Sequence, residues 1–297
     1  MSSDFESKLP LAFVALDRDY LTREDPGALD LDNLDVILLS NSRILFTSGL
    51  EFAVQKPEST LVLNKLIYLG KDFDSGRALA LSLVAETRLE TEGSWFALRE
   101  ISHKVSAKTA SIFSQSLALA NWHENHKFCP KCGRETRSKK FGWVLECENG
   151  HELFPRTDPA VIVAVVDEQD RLLLGSQRTW EANRFSILAG FVEPGESLQA
   201  AAAREVFEES GIVVEELQFR GSQAWPFPYS LMFGFMAKKI GGVLAPDEVE
   251  IETLRWFTRE ELAAEAKDLL LPGKISIARA LIEEWFGGEL ISSGELQ

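Results

Sequence analysis

Glu205, Glu208 and Glu209 are the side chains of this sequence best placed to do chemistry together. On a helix, residues three and four apart share a face, so these carboxylates can converge on one point. Carboxylate oxygens are the donors that hard cations such as Mg²⁺ and Mn²⁺ select, and Mg²⁺ shares its remaining positions with water and phosphate oxygens. A second set, Cys129-x2-Cys132-x14-Cys147-x3-His151, has the two-knuckle spacing of a structural zinc site. Gly133 and Asn149-Gly150 supply the tight turns that fold each knuckle back on one ion. A closed thiolate site leaves no room for substrate, so the role expected there is structural. On spacing alone, His123 and His126 compete with His151 as fourth ligand, and three ordinary buried cysteines are the alternative to a metal. His103 reads as a surface or core histidine.

These groups need elements to hold them. The pattern predicts a helix from Ser197 to Ser210, with Gly195 permitting the bend before it and Gly211 ending it as a C′ residue. Ala200, Ala203 and Phe207 mark the side expected to pack on a sheet. Strands are predicted at Ala160 to Val166, Leu172 to Leu174, Phe185 to Val192, Gln218 to Ala224, Leu231 to Ala237 and Arg255 to Phe257, with Asp167 to Asp170 as a turn. Further helices are expected near Arg259 to Ala266 and Ser276 to Phe286. Mixed strands and helices argue an α/β sandwich.

The first hundred residues read as β-rich, with runs at Val36 to Leu39, Ile44 to Phe46, Thr60 to Leu63 and Leu66 to Leu69. Ser40-Asn41-Ser42 and Asn64-Lys65 separate them as turns. A helix over Ala107 to about Glu124, with Ile112, Phe113, Leu117, Leu119 and Trp122 on its apolar face, leads into the cysteines. The expected division is 1–125, a β-rich domain; 126–155, the ribbon; and 156–297, the catalytic domain. No internal repeat is visible.

With 297 residues, 45% hydrophobic, the chain is long enough for two globular domains. Its formal charge of -15 would repel an extended nucleic-acid tract, but not a small anion carried with a divalent cation. Lys131, Arg134, Arg137, Lys139 and Lys140 are a local exception, read either as a solvated face or as a docking surface for RNA phosphates. The run Leu9 to Leu16 is short, contains a proline and follows Asp4 and Glu6, which is wrong for a signal peptide. Nothing approaches the length of a spanning helix, and Gly294 to Gln297 matches no retrieval tail. The expected location is the cytoplasm.

Gly190-x5-Glu196-x7-Arg204-Glu205-Val206-Phe207-Glu208-Glu209-Ser210-Gly211-Ile212 fits the Nudix box at every defined position, and here the sequence resembles the Nudix hydrolases. The resemblance implies an α/β/α sandwich in which Glu205, Glu208 and Glu209 bind the catalytic Mg²⁺ or Mn²⁺, joined by the backbone carbonyl of Ala189. It also implies a Glu196–Arg204 ion pair fixing the loop to the helix; the pattern leaves open which of the three glutamates takes the proton, and Glu209 is the one selected. Gly190 and Gly211 are supporting positions. The ions would neutralise a pyrophosphate and activate water for attack at phosphorus.

Downstream, Ser222-Gln223-Ala224-Trp225-Pro226-Phe227-Pro228-Tyr229-Ser230 resembles the Ser-Gln-Pro-Trp-Pro-Phe-Pro-x-Ser motif of the NADH pyrophosphatase branch, which also removes NAD caps from RNA. Ala224 stands in place of the first proline and removes one φ restraint. Trp225 and Phe227 between Pro226 and Pro228 form a stiff platform for a flat base, with Gln223 and Ser230 as hydrogen-bonding groups. Phe191 and Phe154 match positions used against the bases, though Phe154 could equally be core. Glu250 is the expected extra metal ligand, Glu248 and Glu252 are surface charges, and Ala278 matches a substrate contact or is packing. His151 departs from the usual fourth cysteine.

By resemblance the N-terminal part is a degenerate Nudix-like domain without a box, and the enzyme is a homodimer whose sites borrow residues from both chains. The expected reaction is hydrolysis of NAD(H) to NMN(H) and AMP, and removal of NAD caps from RNA 5′ ends. The alternatives are a Nudix pyrophosphatase for ADP-ribose or dinucleoside polyphosphates, and a non-catalytic zinc-ribbon nucleotide-binding protein.

Overall fold

Val161 to Val165 form an unbroken apolar run at the centre of β10 (Asp158–Val166), buried on both faces as the middle strand of a covered sheet must be. The computed structural model describes residues 5–25, 27, 29–57, 65–85 and 92–293. The run at Thr60 to Leu63, Asn64 of the second turn, and Gly294 to Gln297 lie outside them. By internal packing the chain forms two units: Phe13–Thr157 with Trp225–Tyr229, and the remainder.

The N-terminal unit contains β1 (Leu16–Asp17), β2 (Leu34–Ser40), β3 (Arg43–Phe46), β4 (Leu66–Asp72), β5 (Ala78–Leu83) and β6 (Ser94–Ala97), in the order β1-β4-β5-β2-β3-β6. Its helices are α1 (Tyr20–Glu24), α2 (Leu98–Ile101) and α3 (Ala107–Asn125). Ser106 caps α3 by accepting from the Thr109 amide at 3.1 Å. The five apolar residues expected on its inner side are all buried. The ribbon, β7 (Thr136–Lys139), β8 (Val144–Cys147) and β9 (Glu152–Leu153), belongs to this unit and is not a separate body. Phe141 stacks on Tyr68 with centroids 5.2 Å apart, and the Trp143 indole donates to the Tyr68 carbonyl at 2.6 Å.

In the catalytic unit, β10, β11 (Leu172–Gln177), β13 (Ile212–Trp225), β14 (Ser230–Gly242) and β15 (Ile251–Phe257) take the order β13-β14-β10-β11-β15, and β12 (Leu188–Phe191) pairs with β10. Alternation along β10 serves two cores. Val161, Val163 and Val165 pack with Ala201, Ala202 and Val206 of α4 (Leu198–Ser210). Ile162 and Ala164 face α5 (Arg259–Glu265) and α6 (Ile277–Phe286). The layers are therefore α/β/α, as expected. Phe5 and Leu9 join the second core, so residues 5–12 pack with the catalytic unit and not with the N-terminal one.

Two expectations need correction. Phe207 is 55% exposed and Ala200 is also exposed. Ala203 does pack against this core as expected, but the rest of the side of α4 facing the sheet is Ala201, Ala202, Val206 and Glu209, because the turn that brings Val206 inward rotates its neighbour Phe207 out. A repeat invisible in the sequence is also present as topology. The order β4-β5-β2-β3-β6 reproduces β13-β14-β10-β11-β15, with parallel β5–β2 matching parallel β14–β10. The antiparallel pairs β2–β3 and β3–β6 match β10–β11 and β11–β15.

Candidate active site and metal centre

β12 and α4 together build the carboxylate site. Ser197 caps α4 by accepting from the Ala200 amide at 3.2 Å, and Gly211 closes it with a φ of 68°. Between those caps the helix presents Glu205 and Glu209 to β12. A Cβ at Gly190 would overlap the Glu205 carboxylate, so glycine is required there by close approach. Glu209 is buried, its Oε2 has no hydrogen-bond partner, and the Ala189 amide is the backbone group bonded to it. A strand residue's N–H and C=O point to the same side, so the Ala189 carbonyl also faces the helix.

Burial, then the charges of Glu205 and Glu250, push the Glu209 carboxyl up to about 8. Burial likewise raises Glu205. A buried carboxyl raised by the charges of two neighbouring carboxylates, with one oxygen orphaned in the interior, forms a site whose chemistry fits a divalent cation. Glu208 stands apart, 56% exposed, and is tied to the site through Arg204.

Arg204 links these parts. It forks onto Glu196 at 2.7 and 2.8 Å, donates to the Phe191 carbonyl at 2.9 Å, and reaches Glu205 at 2.9 Å and Glu208 at 2.8 Å. Glu196 also accepts from the Glu193 amide, and the Arg204 bond followed by this one holds its carboxyl down to about 2. Sequence reasoning missed Asp247. Its Oδ1 accepts from the amides of Val249, Glu250 and Ile251 at 3.2, 3.1 and 2.8 Å, fixing the turn that carries Glu250. An aspartate three residues before the glutamate was the available signal.

In the ribbon, one ligand atom each of Cys129, Cys132, Cys147 and His151 lies within 4.8 Å of all the others. Cys129 Sγ is 3.6 Å from His151 Nδ1, and Cys132 Sγ is 3.7 Å from Cys147 Sγ. The Arg134 amide is the main cause lowering the Cys132 thiol to about 6, toward the thiolate a metal needs. The other candidate histidines are engaged elsewhere. His123 Nε2 sits 2.8 Å from the Gly142 carbonyl, and His126 Nδ1 is 2.9 Å from that of Trp122. The four-residue cluster can hold a metal ion.

The ribbon's cations face acids. Arg134 and Arg137 approach Glu148, Lys139 approaches Glu146, and Lys140 pairs with Glu24 at 3.0 Å.

The downstream motif divides. Gln223 is 1% exposed, donates to the Ile275 carbonyl at 2.6 Å and accepts from the Ile277 amide at 2.7 Å. It is a buried clamp on the start of α6 and not a substrate-facing group, because an amide side chain inside the core must satisfy itself within the fold. Ala278, 3% exposed in the same core, is packing. Ala224 is the last residue but one of β13 and Ser230 the first of β14, and Trp225 to Tyr229 pack in the N-terminal unit. Trp225 and Phe227 meet edge to face at 5.1 Å, and the Arg99 guanidinium lies 4.2 Å from the Phe227 ring centre. Phe154 is 63% exposed, which removes its core alternative, and Phe191 is exposed as well.

Residues 156–280 match the NUDIX domain family, covering the sheet that bears the carboxylates. The NAD-capped RNA hydrolase NudC of Mycobacterium tuberculosis is 39% identical over 280 residues, 88% of this chain and 86% of that protein. Human NAD-capped RNA hydrolase NUDT12 is 36% identical over 197 residues, 61% of this chain and 43% of that one. Among solved structures, a NUDIX hydrolase from Nitrosomonas europaea is 25% identical with a TM-score of 0.43, covering 56% of this chain and 96% of that one. The chain belongs to the Nudix hydrolases, and within them to the NudC branch. It is an enzyme of the hydrolase class, and hydrolases of this family depend on a divalent metal. No helix among the described residues is long and apolar enough to cross a membrane.

Proposed function

We propose that this enzyme hydrolyses the pyrophosphate bond of NAD(H) to NMN(H) and AMP, and removes NAD caps from RNA 5′ ends. The observation that carries the reaction is the group of Glu205, Glu209 and Glu250, whose mutual repulsion and one orphaned buried oxygen call for bound cations. The NAD-capped RNA hydrolase activity of the NudC and NUDT12 relatives supports the substrate.

Glu205, Glu208, Glu209 and Glu250 would hold Mg²⁺ or Mn²⁺, together with the Ala189 carbonyl. Such ions supply charge neutralisation of the pyrophosphate and an activated water. Within the chain, Glu209 is the group that receives the water's proton. Arg204 and Glu196 keep the loop and helix in register while charge builds on the phosphates. The Trp225–Phe227 pair takes a flat ring of the substrate, and the exposed Phe191 and Phe154 are each available to stack on a ring, a stacked base contributing about 1–3 kcal/mol. Zn²⁺ is the ion assigned to the ribbon, with a structural role. The working enzyme is a cytoplasmic homodimer.

The test is incubation with NADH and Mg²⁺ or Mn²⁺, with products separated by chromatography and Glu209→Gln as control. NMNH plus AMP, lost in the variant, is the expected result. Cleavage of ADP-ribose or dinucleoside polyphosphates without cleavage of NADH would overturn the substrate assignment.

A further inference from the structure

The loop Trp225 to Tyr229 has an unusual hydrogen-bonding problem. Pro226 and Pro228 have no N–H, and the Phe227 amide is engaged by the Trp225 carbonyl at 2.7 Å. The loop can therefore be fixed mainly through its carbonyls and rings, and α3 supplies the donors. The Asn121 amide donates to the Pro226 and Pro228 carbonyls, each at 3.1 Å. Tyr229 closes the other end, donating to the Asn121 backbone carbonyl at 3.2 Å and accepting from Asn125 at 2.7 Å. Arg99 lies over the ring pair, 5.5 Å from Trp225 and 4.2 Å from Phe227.

We propose that Asn121 is a specificity-determining positioning residue: by bridging the two prolyl carbonyls it sets the shape in which the Trp225–Phe227 platform receives the nicotinamide half of the substrate. This inference rests on the proposed use of that loop for NAD(H). One planar side chain bonded to two carbonyls two residues apart fixes the curvature between them, and Phe227 is the residue between. Because Arg99 occupies one side of the rings, a base must approach from another, and the loop's curvature decides whether that side is presented. Asn121 is not among the groups assigned to the chemistry at phosphorus, so its loss is expected to act on binding.

The test compares wild type with Asn121→Asp, which keeps the size and removes both donors. Expected is a roughly tenfold rise in KM for NADH with kcat within about twofold, and an unchanged KM for ADP-ribose, which lacks the nicotinamide. Binding of NMNH, followed by its own fluorescence, should weaken by the same factor. Equal NMNH affinity in the two proteins, or equal changes for NADH and ADP-ribose, would overturn the inference. Wild type that neither cleaves NADH nor binds NMNH would instead overturn the proposed function, and this reading with it. If Asn121→Asp melts early or loses ribbon metal, Arg99→Met carries the test without touching these hydrogen bonds. It should raise KM for NADH about threefold, with Arg99→Lys restoring it, and no change in Arg99→Met would count against the positioned platform.

Discussion

The two sheets run through the same strand order, and they part where the chain leaves the second strand of the central hairpin. After β3 ends at Phe46, the next strand of the sheet, β4, begins at Leu66. After β11, residues 178–211 first lay down β12 and α4 before β13 begins. All the box carboxylates, Gly190 and Arg204 lie in that insertion. The strand frame is therefore sufficient for a folded unit and insufficient for chemistry, which depends on a helix held against one extra strand.

Substitutions can break or sharpen that division of labour. The largest effect is expected from Glu209→Gln, which should lower kcat by about 10²–10⁴-fold, the range for losing a proton-transfer group, while leaving the melting temperature at neutral pH equal or higher. A comparable loss of stability would place Glu209 among the frame residues. Phe113→Ala, in the fully buried centre of the boxless unit, should show the opposite profile. It should cost about 3–5 kcal/mol in denaturant unfolding, with little change in kcat per folded molecule. Gly190→Ala lies at the seam, and displacing the Glu205 carboxylate should lower kcat/KM by roughly 10–100-fold, about 1.4–2.7 kcal/mol of transition-state stabilisation.

The smallest effect is a slope with pH. The Glu209 carboxyl ordinarily titrates at 4.5 and in the fold at about 8. Between those values the folded protein holds a proton that the unfolded chain has lost, so this stabilisation is complete below pH 4.5 and disappears as pH rises through 8. Protein loaded at the ribbon and free of Mg²⁺ and Mn²⁺ should melt a few degrees lower at pH 8.5 than at pH 6, and Glu209→Gln should flatten that difference. A steeper slope in the variant would contradict the burial argument.

The sequence carried the box and the cysteine ligands because their spacing is dictated by geometry that few other arrangements share. Glu205 and Glu209 must lie one turn apart, and each knuckle must bring two donors to one ion. It carried β10 for the same reason, since burial on two faces leaves an apolar run. Gln223 was misread because a buried amide and a substrate-facing amide are the same letter. Only the carbonyl of Ile275 and the amide of Ile277, some fifty positions away, distinguish them. Phe207 was misread because helix phase shifts with one residue, and the packing of Val206 fixes that phase. The repeated sheet escaped notice because strand order is kept by backbone pairing, which leaves side chains free to diverge.

Phe5 and Leu9 occupy the core built on Ile162, Leu281 and Trp285, and a Cβ at Gly221 would press on the Phe5 ring at 3.0 Å. A ribosome makes these two residues before the N-terminal sheet and the ribbon, and their partners after both. The N-terminal sheet and ribbon can therefore mature while their own leading segment waits in solvent. Deleting residues 5–9 would accordingly injure the half of the molecule made last.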